Sequence, residues 1–437
     1  MRDRIELEQM PRFWEPKPSK FWEMMLGPVH RWTMHRTFEI AQVEFEAMDR
    51  LARIDPKDGI LLCPNHSYTG DGAVALELSR RAPRRVYVMA AWHVFRTKFG
   101  VKGWLLQRQG CFSVDREGCD RRAIKQAVEL LTTGKALCIF PEGEIYHTNE
   151  RLTPLREGVA FIAATAQRDL DKRAAIPSPG TPAFGSEAQA RRGEGQGGGS
   201  VATVWLVPVG VRYHFIGNVM PALESAMTEL ERRVLLTTKV GQPLHERIIR
   251  FGEVALTIKE KDHLGHEGSG DLPTRINALA QHVLAKREQM HLGKANPDEA
   301  IPVRVKLLRQ HFLESVWEKE PDEATMRTAF EGLGDVQLAL QLYSYPGDYI
   351  SQKPSVERMA ETIEKFEEDV YGTYATPKGR RRALVRIGEP ISVREHMGAG
   401  KMRAIASALT SKLESGIRAA MNADAPPSAG PAEAWRA

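Results

Sequence analysis

The stretch Cys63-Pro64-Asn65-His66-Ser67-Tyr68-Thr69-Gly70-Asp71 decides how this chain reads. It follows the apolar run Gly59 to Leu62, which predicts a buried strand, and precedes Ala73 to Leu78, which predicts a helix. On an ideal helix, residues spaced like His66 and Asp71 lie about 140° apart and point different ways. Pro64 and Gly70 predict a turn instead, and a turn can bring the two side chains together. A neutral imidazole takes a proton from a hydroxyl, and a carboxylate beside it fixes the tautomer and stabilises the imidazolium. The competing reading is a polar strand-to-helix loop in which Asp71 only caps the helix.

Outward from this stretch, strands and helices alternate. Arg84 to Ala90 predicts a strand, Phe99 to Leu106 a helix or tight turn, and Cys111 to Val114 another strand. Asp120 is placed to cap a helix whose Ile124, Ala127, Val128 and Leu131 keep a helical period, and Gly134 stops it. Ala136 to Phe140 predicts a further strand, Arg156 to Gln167 a helix, and Val204 to Val211 a strand with Pro208 inside it. Ile40 to Leu51 reads as a short amphipathic segment leading in. This alternation predicts an α/β fold with a central, mostly parallel sheet flanked by helices. From 216 to 376 helical patterns dominate, among them Leu308, Phe312 and Val316, and then Met359, Ile363 and Phe366. They predict a large helical insertion. Ala383 to Ile387 resumes a strand closed by Gly388-Glu389-Pro390, and a helix with Ile405, Leu409 and Leu413 follows. The expected organisation is an N-terminal helical part (1–39), a core (40–215), the insertion (216–376), a return to the core (377–420) and a disordered tail (421–437). Within the core, 175–200 turns to Pro, Gly, Ser and Ala and predicts a flexible loop without chemistry.

Composition narrows the function. A chain of 437 residues with 42% apolar and 27% charged residues has a globular make-up and room for more than one domain. It holds no run of about 18 apolar residues, so no transmembrane helix is expected. Asp3, Glu6 and Glu8 sit where a secretory signal would be apolar, so no signal peptide is expected. Cys63, Cys111, Cys119 and Cys138 lack metal-ligand spacing and read as free thiols of a reducing cytosol. No metal site is expected. A net charge of +5 does not call for nucleic acid, and it suits contact with an anionic membrane surface. Residues 17–36 place Phe21, Met24, Met25, Val29 and Trp32 at roughly helical spacing among Lys17, Lys20, Arg31 and Arg36. Gly27-Pro28 divides them into two short helices, which either lie in a membrane interface or pack on the body of the protein. Lys378 and Arg380 to Arg382 form a basic run that reads as a solvated loop or, alternatively, a lipid head-group site.

Four stretches in order carry a family resemblance. Asn65 and His66 with Asp71 form the first; Gly110, Val114 and Arg116 the second; Phe140-Pro141-Glu142-Gly143 the third; Val207 to Gly210, a Val-Pro-Val-Gly strand, the fourth. Gly388 to Ile391 matches a Gly-Glu-Pro-Ile near the end of such domains. Over about 40–215 and 383–418 the chain resembles the glycerolipid acyltransferase family, whose members esterify lysophosphatidic acid and related lysolipids. The resemblance implies O-acyl transfer in phospholipid biosynthesis or remodelling. His66 would be the general base and Asp71 its orienting partner. Asn65, Arg116, Phe140, Pro141, Glu142, Gly143 and Pro208 would contact substrate, with Arg116 gripping an anionic head group and Pro208 shaping the acyl slot. The plainer readings are a surface ion pair of Arg116 with Asp115 or Glu117, a strand-ending turn at Pro141-Glu142-Gly143, and an edge strand at Pro208. The donor would be acyl-CoA or an acyl carrier protein, the acceptor a lysolipid, and no cofactor is expected. The expected location is cytoplasmic, peripherally bound to the membrane.

Two departures stand out. Many family members continue the third block with Thr-Arg-Ser, where this chain has Glu144, Ile145 and Tyr146. The serine of the first block usually lies two residues after the histidine, and here Ser67 is adjacent. Both point to an alternative acceptor without a phosphate, such as an amino-acid lipid or glycolipid. A third reading is a membrane-associated scaffold that has lost turnover.

Overall fold

The computed structural model describes residues 11–96, 100–116, 118, 120–175, 201–239, 241–317, 321–398 and 400–422. The glycine-rich stretch 176–200, the tail from 423, and Glu117 and Cys119 lie outside the described residues.

β2 (Gly59–Pro64) is buried along its whole length, as an apolar run without alternation requires of a strand covered on both faces. It runs parallel to β5 (Ala136–Cys138) on one side and to β6 (Val204–Phe215) on the other. The sheet continues through β3 (Val86–Ala91) and β4 (Cys111–Val114), also parallel. Beyond β6 come β7 (Arg381–Ile387) and β1 (Ile40–Glu46), giving the order β1-β7-β6-β2-β5-β3-β4, with β8 (Ile391–Ser392) also on β6. Only the pairings of β6 with β7 and β8 are antiparallel. The fold is therefore α/β with a mostly parallel central sheet.

Side-chain alternation along the strands builds two cores. Ile60, Leu62, Val207 and Val209 face one layer of helices: α1 (Lys20–Met25), α2 (Gly27–Arg36), α3 (Asp49–Ala52), α4 (Asp71–Arg81), α5 (Trp92–Arg96) and α6 (Val101–Arg108) line this side. Leu61, Cys63 and Leu206 face α7 (Arg121–Thr132) and α8 (Gly158–Ala175). Asp120 caps α7 through the Ala123 amide, as its position predicts.

The segment from Ile40, expected to be merely amphipathic, is the edge strand β1 followed by α3. Its exposure alternates with a period of two, Gln42 and Glu44 outward, which is a strand's signature and not a helix's. The basic run also differs from a solvated loop. Arg381 opens β7, is buried, pairs with Glu364 and lies over the rings of Tyr68 and Phe215, while Lys378 pairs with Glu367.

Between β6 and β7 run α9 (Met220–Arg233), α10 (Leu244–Leu264), α11 (Leu272–Leu292), α12 (Ile301–Trp317), α13 (Glu323–Tyr343), α14 (Tyr349–Gln352) and α15 (Val356–Tyr371). One device recurs in them, a repeat of about 28 residues. A glutamate late in one helix accepts a two-pronged bond from an arginine early in the next: Glu231 with Arg247, Glu260 with Arg275, Glu288 with Arg304. The second oxygen of Glu260 also accepts from the Gly268 amide and that of Glu288 from Asn296, closing the interhelical loops. The chain then returns through β7 and β8 to α16 (Met402–Asn422), which lies directly on β6. A Cβ at Gly210 would come within 2.5 Å of the Ala420 main chain, so only glycine permits that approach.

Candidate active site

The chain turns sharply where β2 ends, and α4 begins at Asp71. Gly70 occupies the position before the helix, and no side chain caps its first turn. Asp71 is instead turned back into the loop, 1% exposed, with one oxygen accepting from the Tyr68 amide at 2.9 Å and lying 2.8 Å from His66 Nδ1. A carboxylate at that place accepts, so Nδ1 carries the proton and Nε2 presents its lone pair. The helix N-terminus favours the negative charge. The imidazole stacks on Phe140, with centroids 4.1 Å apart, and remains partly exposed. This pairs a buried acid with a reachable base, which a simple cap would not.

The third block closes over the same loop. Glu142 is buried and points inward: one oxygen accepts from the His66 amide at 2.6 Å, the other from the amide and hydroxyl of Thr153. Burial pushes its carboxyl up to about 8, against the opposing pull of the two amides. Gly143 adopts a left-handed φ of 77°, and a Cβ there would meet the Arg156 side chain at 2.7 Å. Pro141 holds this turn by accepting from the Arg156 amide.

Arg116, just past β4, donates to the Gly143 carbonyl and forms an ion pair with Glu144 at 3.1 Å. Its carboxylate partner is thus the residue that stands where the family's Thr-Arg-Ser begins. Asn65 is buried, and its side chain makes two bonds to the main chain of Val211. Pro208 is not at an edge. It sits in the central strand β6, with its ring against Gly388 and Gly416, on the sheet face opposite Val207 and Val209. Its carbonyl accepts from Gly388 in the gap between β7 and β8, so its missing N–H falls where β6 has no antiparallel partner. The structure therefore gathers His66, Asp71, Phe140, Glu142, Gly143 and Arg116 at the ends of β2, β4 and β5. It does not bring Pro208 to them.

Tyr213 was not among the residues the sequence singled out. Its hydroxyl donates to the second oxygen of Asp71 at 2.5 Å. Alternation along Val207, Val209 and Val211 places it on the face of α4, which was the available signal. The insertion roofs the site: Tyr343 of α13 packs edge-on against Tyr146, and Glu368 of α15 pairs with His147 at 3.2 Å. Among the described residues no group of His, Cys, Asp and Glu could hold a metal ion, and no helix is long and apolar enough to cross a membrane.

Residues 42–178 match the family model described as Acyltransferase. This segment, from β1 through α8, is a domain of the glycerolipid acyltransferase family, a transferase domain whose chemistry is acyl transfer. A search of curated proteins found no match to the chain.

Proposed function

We propose that the protein moves a fatty acyl group from the thioester of acyl-CoA or an acyl carrier protein to the free hydroxyl of a lysolipid. His66 Nε2 takes the hydroxyl proton as the oxygen attacks the thioester carbonyl. The carbon–sulfur bond then breaks, and the imidazolium returns the proton to the thiolate. Asp71 holds the ring and stabilises its charged form. The observation that carries the reading is the 2.8 Å contact of His66 Nδ1 with a buried carboxylate inside an acyltransferase-family domain. The sequence holds no Gly-x-Ser-x-Gly elbow, which favours direct transfer over a covalent acyl-serine. The test is acyl transfer from labelled acyl-CoA to a panel of lysolipids, with lipid analysis of cells expressing the wild type or His66→Ala. Transfer that survives His66→Ala at the wild-type rate would overturn the reading.

One observation favours an acceptor without phosphate. The guanidinium that would grip a head-group anion is already neutralised by Glu144. On this reading an amino-acid lipid or glycolipid acceptor outperforms lysophosphatidic acid in the panel; exclusive use of lysophosphatidic acid would eliminate it.

Membrane contact is proposed for α1 and α2. Glu23 and buried Met34 tie them to the core, while Phe21, Met24 and Trp32 project outward among Lys17, Lys20, Arg31 and Arg36. Removal of residues 1–36 should abolish binding to anionic vesicles.

A further inference from the structure

We propose that Tyr213 is a positioning residue for the His66–Asp71 pair, and that the helical insertion fixes its place through Glu361 and Asn149. The proposal rests on the reading of His66 as general base.

Asp71 has two oxygens. One is committed to the Tyr68 amide and the imidazole, and the other receives the Tyr213 hydroxyl at 2.5 Å. With both oxygens held, the carboxylate cannot rotate, and the imidazole it carries keeps one orientation. Burial and the Asp71 charge push the Tyr213 phenol well above its usual range, so this hydroxyl stays a donor.

On one side β6 pairs with β7, with Tyr213 opposite Ala383; on the other, where β2 has ended, side chains hold it. The ladder between β2 and β6 ends at Pro64 opposite Val209. Beyond it two asparagines take the strand's part. Asn65 bonds both main-chain groups of Val211, and Asn149 bonds both of Tyr213, at 2.7 and 2.8 Å. The Asn149 amide in turn donates to Glu361 of α15 at 3.1 Å, and Glu361 accepts from Tyr349 of α14 at 2.8 Å. Glu361 is thus linked to Asp71 through Asn149, by its main-chain N–H on one side and its carboxamide on the other, and through Tyr213. The sequence shows a matching stripe on α15. Glu357, Glu361, Glu364 and Glu368 share one helix face and meet His214, Asn149, Arg381 and His147 of the core. The other titratable and charged groups around the pair are Glu142, Cys138, Tyr68, Glu39 and Arg381 with its partner Glu364.

Tyr213→Phe keeps the ring and removes the donor. Asp71 then carries more charge toward Nδ1, and the imidazolium is favoured. In full-length protein labelled with 15N-histidine, the His66 resonance should titrate about half to one pH unit higher than in wild type. The acid limb of kcat/KM, measured with labelled acyl-CoA and a lysolipid acceptor, should move up equally. Glu361→Leu should shift both in the same direction by a smaller amount. A wild-type His66 titration in folded Tyr213→Phe overturns the positioning role; a wild-type titration in Glu361→Leu overturns the insertion's part. The base reading is tested apart from both, since it falls only if His66→Ala retains turnover. The NMR shift needs no turnover, so the two failures are distinguishable.

Discussion

The sheet core and the helical insertion both bury carboxylates, but they hold them differently. In the insertion each buried glutamate of the repeat faces a guanidinium. Burial pushes Glu231 up, but the bonds from Arg247 and Arg250 outweigh it and hold the group below the usual range. The bonds from Arg275 lower Glu260 in the same way. In the core, Asp71 is met by an amide, a phenol and an imidazole, and Glu142 by amides and a hydroxyl. A carboxylate locked to arginine keeps one charge and serves as a fastener. A carboxylate held by neutral donors remains free to answer the charge on a neighbouring histidine. The contrast separates the insertion's fasteners from the carboxylates of the proposed active site within a single chain.

The sharpest break in that comparison comes from the reactive side. Asp71→Asn should lower acyl transfer by about two to four powers of ten, because the imidazole loses its brace, while the thermal midpoint moves little. A large loss of stability with modest loss of rate would make Asp71 a fastener after all. On the scaffold side, Arg304→Met leaves Glu288 charged and buried, and should destabilise by about 3–5 kcal/mol in a urea melt; adding Glu288→Leu should recover most of that loss.

Glu142 supplies a comparison by pH. Its folded value is raised to about 8, so its contribution is whole below the unfolded value and is lost as pH rises through the folded one. Glutamine carries no such loss. Glu142→Gln should therefore gain on the wild type between about pH 5 and 9, by up to about 5 kcal/mol, in parallel melts. A difference that is flat with pH would show that Glu142 is ionised in the folded protein. The smallest effect belongs to the exposed pair Arg327–Glu323 on α13. Its removal should leave the midpoint where it is, since water already solvates both charges. A measurable drop there would blur the distinction between buried fork and surface pair.

Much of this was legible in the chain. The alternation of strand and helix, the turn that joins His66 to Asp71, the cap at Asp120 and the helical character after 216 rest on neighbours within a few residues. The edge strand β1 was legible too, in the outward alternation of Gln42 and Glu44, but a half-exposed stretch of mixed polarity also fits an amphipathic helix. The forks of the insertion were legible only as scattered charges, because a glutamate and an arginine on successive helices declare themselves partners once the helices have packed.

The sequence by itself determined the α/β class and the order of the motifs, and it limited the turn after His66 to two readings, a pair with Asp71 or a helix cap. These follow from periodicity and turn chemistry, which act locally along the backbone. Only the tertiary structure decided that Glu144 takes Arg116, that Pro208 lies under α16, and that Asn65 and Asn149 stand in for a strand beside Tyr213. Those partners are distant in the chain, and which of many polar side chains a buried group meets is settled by how sheet and helices pack. An unpaired polar group inside costs more than any local preference can supply.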